Sequence, residues 1–265
     1  MTNYTIVTSL NKAYLNDTAK INLESWIRNL PEDVKVVAYS EEDLRYKNRA
    51  IEFRNLYEEA PELVEFKNKY KDNPNYNGKI GTKLEGNLKA FKWKGIKFAH
   101  KTYAIFSEAK KRDSGWLIWL DADVLMHETV THEWLSSKFP SNKSIVYLGR
   151  PEAYDECGLM GYNLDKQFAR NFLQKFEGEY NNGLEGYRET HDSWIFYQLR
   201  LAYKDQSEFL DLNPDPPNNK SPFNNSGINE VMVHTKGKNK EKLQNKFLKR
   251  FELQRMRDLK TSRNT

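Results

Sequence analysis

Asp121 and Asp123 lie within the segment WLIWLDADVLM (116–126), in which five apolar residues run unbroken into two carboxylates one residue apart. Two acids aimed at one small volume repel each other, and a bound divalent cation removes that cost. The spacing therefore points to metal chemistry. The plainer alternative is a pair of polar residues that only solvate the end of a strand.

Some element must carry the pair to an edge where a ligand can reach it. Trp116 to Leu120 fits a strand buried on both faces, as in the middle of a parallel sheet. Ligands of open α/β sheets bind outside the carboxyl ends of such strands, which is where the two acids follow. The first forty residues supply the start of that sheet. Residues 4–9 and 34–40 are β-branched apolar runs, and between them Ala19, Leu23, Ile27 and Leu30 recur at helical spacing behind the capping residues Asn16 and Asp17. Strand, helix and strand predict a right-handed crossover and parallel pairing.

Residues 41–82 show weak periodicity and are expected to be irregular. Phe98, Thr102, Ile105, Phe106 and Ala109 predict a helix that leads into the acidic strand. Further strands are expected at 144–149, 157–163 and 230–234, and helices at Phe168, Phe172 and Phe176 and from about 190 onward. Loops at 178–190 and 213–229 are long enough to cover a site.

The 265 residues are 13% aromatic and 30% charged with both signs well represented, which excludes a disordered polyelectrolyte. Cys157 is the sole cysteine, so an intrachain disulfide and a cysteine-based zinc site are excluded. No window approaches the roughly 18 apolar residues that read as a membrane span, and a soluble, cytoplasmic protein is expected. Net charge is +5, yet residues 236–265 carry eleven Lys and Arg against three acids. That basic end suits a polyanionic partner or is simply a solvated helix. The chain is expected to divide into a main domain over 1–238, catalytic if the metal chemistry holds, and a basic C-terminal helix or tail over 239–265.

With these residues in place, the sequence resembles glycosyltransferases of the nucleotide-sugar-binding A type. WLIWLDADV is similar to their Asp-x-Asp segment, and residues 91–105 to the basic, aromatic stretch and helix that precede it. CGLMGYN (157–163) and HTKGK (234–238) are similar to segments of the glycogenin-like branch, and the chain as a whole resembles that branch or a phage-type relative. The resemblance implies a single Rossmann-like α/β domain with a mixed, mostly parallel central sheet flanked by helices.

It also implies a donor, a nucleotide-diphosphate sugar and most simply a UDP-sugar, and Mn2+ or Mg2+ as the ion, held by Asp121, Asp123 and His234. Asp121 contacts metal or ribose, Lys238 reaches the diphosphate, and Gly237 lets the backbone close on it. Thr8, Ser9 and Tyr39, at the ends of the first two strands, become candidates for nucleotide contacts, and Lys94 and Lys97 for phosphate contacts. Thr8 and Ser9 are equally good turn formers, and the two lysines equally good surface residues. Asp192 is the candidate catalytic carboxylate, with Asp155 and Glu156 as substitutes; Asp192 alternatively caps a helix. One departure is that AsnLysGluLys follows Lys238 where the family often has Pro-Trp.

The expected acceptor is a hydroxyl, on a glycan such as a lipopolysaccharide-type chain or on a hydroxymethylated base of DNA; the basic end would then contact DNA or an anionic membrane surface. Two rivals remain. LDADVL also matches haloacid-dehalogenase-type phosphatases, with Asp121 as nucleophile, Asp123 as general acid and Asp211 and Asp215 as a late acidic pair. A non-catalytic nucleic-acid-binding protein explains the basic end but not the acidic strand end.

Overall fold

The computed structural model describes residues 2–15, 19–44, 46, 48–79, 90–150, 153–214, 221–235 and 240–261. In chain order the elements are β1 (Tyr4–Leu10), α1 (Lys12–Tyr14), α2 (Lys20–Asn29), β2 (Lys35–Ser40), β3 (Ile51–Asn55), α3 (Leu56–Glu59), α4 (Pro61–Tyr70), α5 (Pro74–Asn77), α6 (Gly95–Lys110) and β4 (Trp116–Leu120). There follow β5 (Val124–Met126), α7 (His132–Lys138), β6 (Ile145–Leu148), β7 (Glu156–Asn163), α8 (Gln167–Asn182), α9 (Asp192–Ala202), β8 (Phe209–Asp211), α10 (Pro222–Asn225), β9 (Met232–His234) and α11 (Lys240–Thr261).

Seven strands form one sheet in the order β3-β2-β1-β4-β7-β6-β8. Every pairing is parallel except those of β7, which runs antiparallel to both β4 and β6. This is a mixed, mostly parallel α/β sheet with helices on both faces. Two cores follow from it: one face packs α4, α6, α8 and α9 through Phe66, Tyr103, Phe106, Phe172, Phe176 and Phe196. The other packs α2 and α7 through Leu23, Trp26 and Leu135.

β4 is buried at all five positions, and β1 and β2 nearly so, because both faces are covered. Parallel pairing puts the carboxyl ends of β1, β2 and β4 on one edge. The antiparallel register Leu120↔Leu159 brings the amino end of β7 to the same edge. Residues 121, 156–158, 9–11 and 41 therefore meet there.

The expectation of irregular structure over 41–82 is corrected: β3 and α4 lie in it. β3 is the outermost strand on its side, with only Ile51 fully buried, so its sequence IEFRN carries little apolar signal. The expected loop at 178–190 starts later, since α8 continues to Asn182 and ends on the left-handed Gly183. The strand expected at 230–234 pairs outside the main sheet, as β9 with β5. Asn16 and Asp17 lie outside the described residues. Among the described residues no helix is long and apolar enough to cross a membrane.

Candidate active site

Asp121 leaves β4 with its amide donated to the Gly158 carbonyl (2.9 Å), and a tight turn brings the Val124 amide back to the Asp121 carbonyl (2.9 Å). That turn throws Asp123 out beside Asp121 before β5 begins. β5 pairs antiparallel with β9 in the register Val124↔His234, which sets the imidazole opposite the turn. The His234 Nε2 lies 2.7 Å from Asp123 Oδ1 and 3.8 Å from Asp121 Oδ2. One ligand atom from each of Asp121, Asp123 and His234 falls within 4.8 Å of the others. Two hard carboxylates and one imidazole fit manganese or magnesium, and three protein ligands leave coordination positions for water or phosphate.

Gly158 makes room for this cluster. A Cβ there would sit 2.9 Å from His234 Cε1 and 3.0 Å from Phe223 Cε2. Phe223, from α10, packs its ring 4.7 Å from the imidazole. Gly158→Ala is therefore expected to displace His234 and weaken Mn2+ affinity by about tenfold, within the range for disturbed ligand orientation. Calorimetric titration of Mn2+ checks this, with circular dichroism unchanged.

Lys101 of α6 is a buried cation of the site. Only 8% exposed, it donates to Asp121 Oδ1 (3.0 Å), to the Cys157 carbonyl, and pairs with Asp192 Oδ2 (2.9 Å). Burial alone would depress its ammonium, but the carboxylates of Asp121 and Asp192 hold it above the ordinary lysine value. Trp119 Nε1 also donates to Asp121 Oδ1 (2.7 Å). One oxygen of Asp121 is thus held from the protein side, and the other lies toward His234.

Asp192 opens α9 but does not cap it. The cap is His191, whose Nδ1 accepts the Trp194 amide (3.3 Å) while Nε2 faces Glu189 Oε2 (3.0 Å). Glu189 in turn pairs with Lys92 (2.7 Å). Burial lowers the His191 pKa against the pull of Asp192 and Glu189. With the folded pKa below the unfolded value, its contribution to stability is present above about pH 6.5 and lost as pH falls through the folded pKa. Thermal melts from pH 7 to 5 are expected to show a fall in Tm that His191→Asn, which keeps a capping acceptor, reduces. Asp155, with its pKa pushed up to about 6 by burial against Arg200, acts in the opposite sense, so the comparison is between wild type and variant.

A cleft of about 1280 Å³ opens over this edge of the sheet. Ser9, Lys94, Lys97, Asp121, Asp123, Glu156 and Asp192 line it. Three sequence candidates are corrected. Tyr39 is fully buried, its hydroxyl 3.0 Å from Glu108 Oε2 and 3.4 Å from Arg54 on the far side of β2. Thr8 is also fully buried, because the strand alternates and Ser9 takes the outward position. Asp155 is 1% exposed and held by both oxygens on Arg200 (2.8 and 3.0 Å), which stacks over Tyr147, so it turns away from the cleft. Glu156 pairs with Arg150. Gly237, Lys238 and Asp215 lie outside the described residues.

The sequence reading assigned no site role to Lys101, Trp119 or His191, nor to the cleft aromatics Phe91, Phe98 and Tyr154. The phosphatase rival loses its second acid pair: Asp211 sits on β8, three strands from β4, with Oδ1 accepting the amides of Gly149 and Asn213 (both 2.8 Å).

No protein-family profile matches the sequence, and no curated protein matches it. Solved structures share the chain path in part. Mouse xyloside xylosyltransferase 1 in its apo form is 14% identical with a TM-score of 0.46, over 79% of this chain and 84% of that one. A glycosyltransferase involved in glycosylation of the major capsid of PBCV-1 is 11% identical with a TM-score of 0.48, over 92% and 98%. The galactosyltransferase LgtC in complex with donor and acceptor sugar analogs is 14% identical with a TM-score of 0.41, over 72% and 68%. Likeness at this level concerns the backbone alone, and no substrate follows from it.

Proposed function

We propose that the chain is a metal-dependent glycosyltransferase that moves a sugar from a nucleotide-diphosphate sugar, most simply a UDP-sugar, to a hydroxyl acceptor. The observation that carries the reading is the convergence of Asp121, Asp123 and His234 within 4.8 Å, beside a cleft lined by both aspartates and by the Lys101–Asp192 pair. Asp121, Asp123 and His234 would hold Mn2+ or Mg2+. When bound, such an ion neutralises the negative charge that develops on a departing diphosphate.

The chain's own groups divide the remaining work. Ser9 and Asn11, at the end of β1, face the cleft where a nucleoside would lie. Lys94 and Lys97, on the wall before and within the first turn of α6, face it where phosphates would extend. Lys101 pairs with Asp192 and fixes its direction. A carboxylate held there orients the hydroxyls of the transferred sugar or takes a proton from the acceptor. The aromatic wall of Phe91, Phe98 and Tyr154 excludes water from the reacting bond. The acceptor belongs to a glycan or to modified DNA, with the basic α11 as the electrostatic contact for a polyanion.

Thermal-shift assays with nucleoside diphosphates, with and without Mn2+, test this reading. Stabilisation by a nucleoside diphosphate that requires Mn2+ is expected. Equal stabilisation by phosphate analogues with Mg2+ and no nucleoside would favour phosphatase chemistry instead.

A further inference from the structure

The strand that carries Asp123 into β5 is held from two directions. On one side β9 pairs with it. On the other, α2 presents side chains to its outward carbonyls at helical spacing. Asn22 Nδ2 donates to the Ala122 carbonyl (2.9 Å), Trp26 Nε1 to Val124 (2.7 Å) and Asn29 Nδ2 to Met126 (3.0 Å). Helix positions 22, 26 and 29 thus match alternate strand residues 122, 124 and 126, whose carbonyls all point the same way.

The first of these rungs differs from the others. Asn22, 0% exposed, also donates to Thr235 Oγ1 (3.4 Å), next to His234. Thr235 Oγ1 donates to the Asp123 carbonyl (2.6 Å), as does the Thr235 amide (2.8 Å). From the far side, Gln244 Nε2 of α11 donates to Asn22 Oδ1 (3.3 Å). Each direction is forced: a backbone carbonyl only accepts, so Nδ2 faces Ala122, and Oδ1 is left to accept from Gln244. The chain runs Gln244 to Asn22 to Thr235 to Asp123 with every donor matched, an arrangement in which each bond polarises the next.

We propose that Asn22 is a positioning residue that sets the separation of Asp123 and His234, and that α11 locks it through Gln244. The proposal rests on the metal reading of those two residues. It makes α11 a support of the site: a partner that draws α11 off the body loosens the ion's ligands. Removing the Asn22 amide lets the turn at 121–123 and the end of β9 drift independently.

The test compares Asn22→Ala, Gln244→Leu and Asn29→Ala, the last of which removes the rung farthest from the ligands. Mn2+ titration of the full chain at 25 °C is expected to give about a tenfold weaker Kd for Asn22→Ala and a smaller weakening for Gln244→Leu. Asn29→Ala, matched for loss of Tm, is expected to leave Kd unchanged. In the metal-free proteins, amide hydrogen exchange at Thr235 is expected to accelerate in Asn22→Ala and Gln244→Leu but not in Asn29→Ala. Equal effects of Asn22→Ala and Asn29→Ala on Kd and exchange, or none from Asn22→Ala, would overturn the proposal. If the wild type binds no Mn2+, the metal reading fails, and the exchange data still decide whether Asn22 couples the two segments. Should Asn22→Ala not fold, Gln244→Leu carries both measurements.

Discussion

Asp123→Ala is expected to weaken Mn2+ binding by more than about a hundredfold while leaving the circular dichroism spectrum intact. Disturbing groups that only orient a metal's ligands costs 10–100-fold, and Asp123 is itself placed among the ligands, so its loss should exceed that range. The fold should survive, because Asp123 contributes one hydrogen bond to His234 (2.7 Å) while its backbone bonds to Thr235 remain. Losing that hydrogen bond, which involves a charged carboxylate, costs about 2 kcal/mol, and relief of repulsion from Asp121 offsets part of it. Calorimetry with Mn2+ and urea denaturation of the metal-free protein measure the two sides. Unchanged Mn2+ affinity would remove Asp123 from the metal site.

The second large effect is expected at Lys101. Its ammonium pairs with both Asp121 and Asp192, whose side chains are 25% and 4% exposed. Lys101→Met keeps most of the volume but leaves Asp192 buried beside Asp121 without the cation. Breaking a buried pair by removing one partner costs about 3 kcal/mol or more. The metal-free variant should therefore be destabilised by that order at pH 7 in urea denaturation. On acidification the deficit should shrink, because protonation removes the unpaired carboxylate charge. Mn2+ should stabilise the variant more than the wild type, since the ion neutralises the carboxylate that lysine had served. A variant as stable as wild type at pH 7 would contradict this account of the site's electrostatics.

The two faces of the sheet explain what was legible in the sequence. Trp116 to Leu120 read correctly because both faces of β4 are buried, which leaves an unbroken apolar run that ends where the acids begin. α8 announced itself through Phe172 and Phe176, on the face that packs against the sheet. β3 did not, because an outermost strand buries little. Thr8 and Tyr39 were misplaced for a related reason: where both faces are covered, β1 and β2 show no polar and apolar alternation, so the sequence gives no sign of which residue at a strand's end faces outward.

The polar members of the site were harder to see. Lys101 lies within a stretch of α6 buried from Ala99 to Glu108, and its sequence neighbours Phe98 and Thr102 marked the inward face. A lysine on that face signals buried acids, although not which ones. Asn22, Ser25 and Asn29 of α2 are all buried, yet the helical spacing of Ala19, Leu23, Ile27 and Leu30 that marked the inward face does not include them. Only the presence of the β5 edge beside them gives their amides and hydroxyl a function.

The most direct test of the central claim is an anomalous-difference map from crystals grown with Mn2+ and a nucleoside diphosphate. One strong peak is expected within coordination distance of Asp121, Asp123 and His234, with a diphosphate oxygen on its open side. A nucleotide bound in the cleft with no peak at that trio, or with the ion elsewhere, would contradict the account.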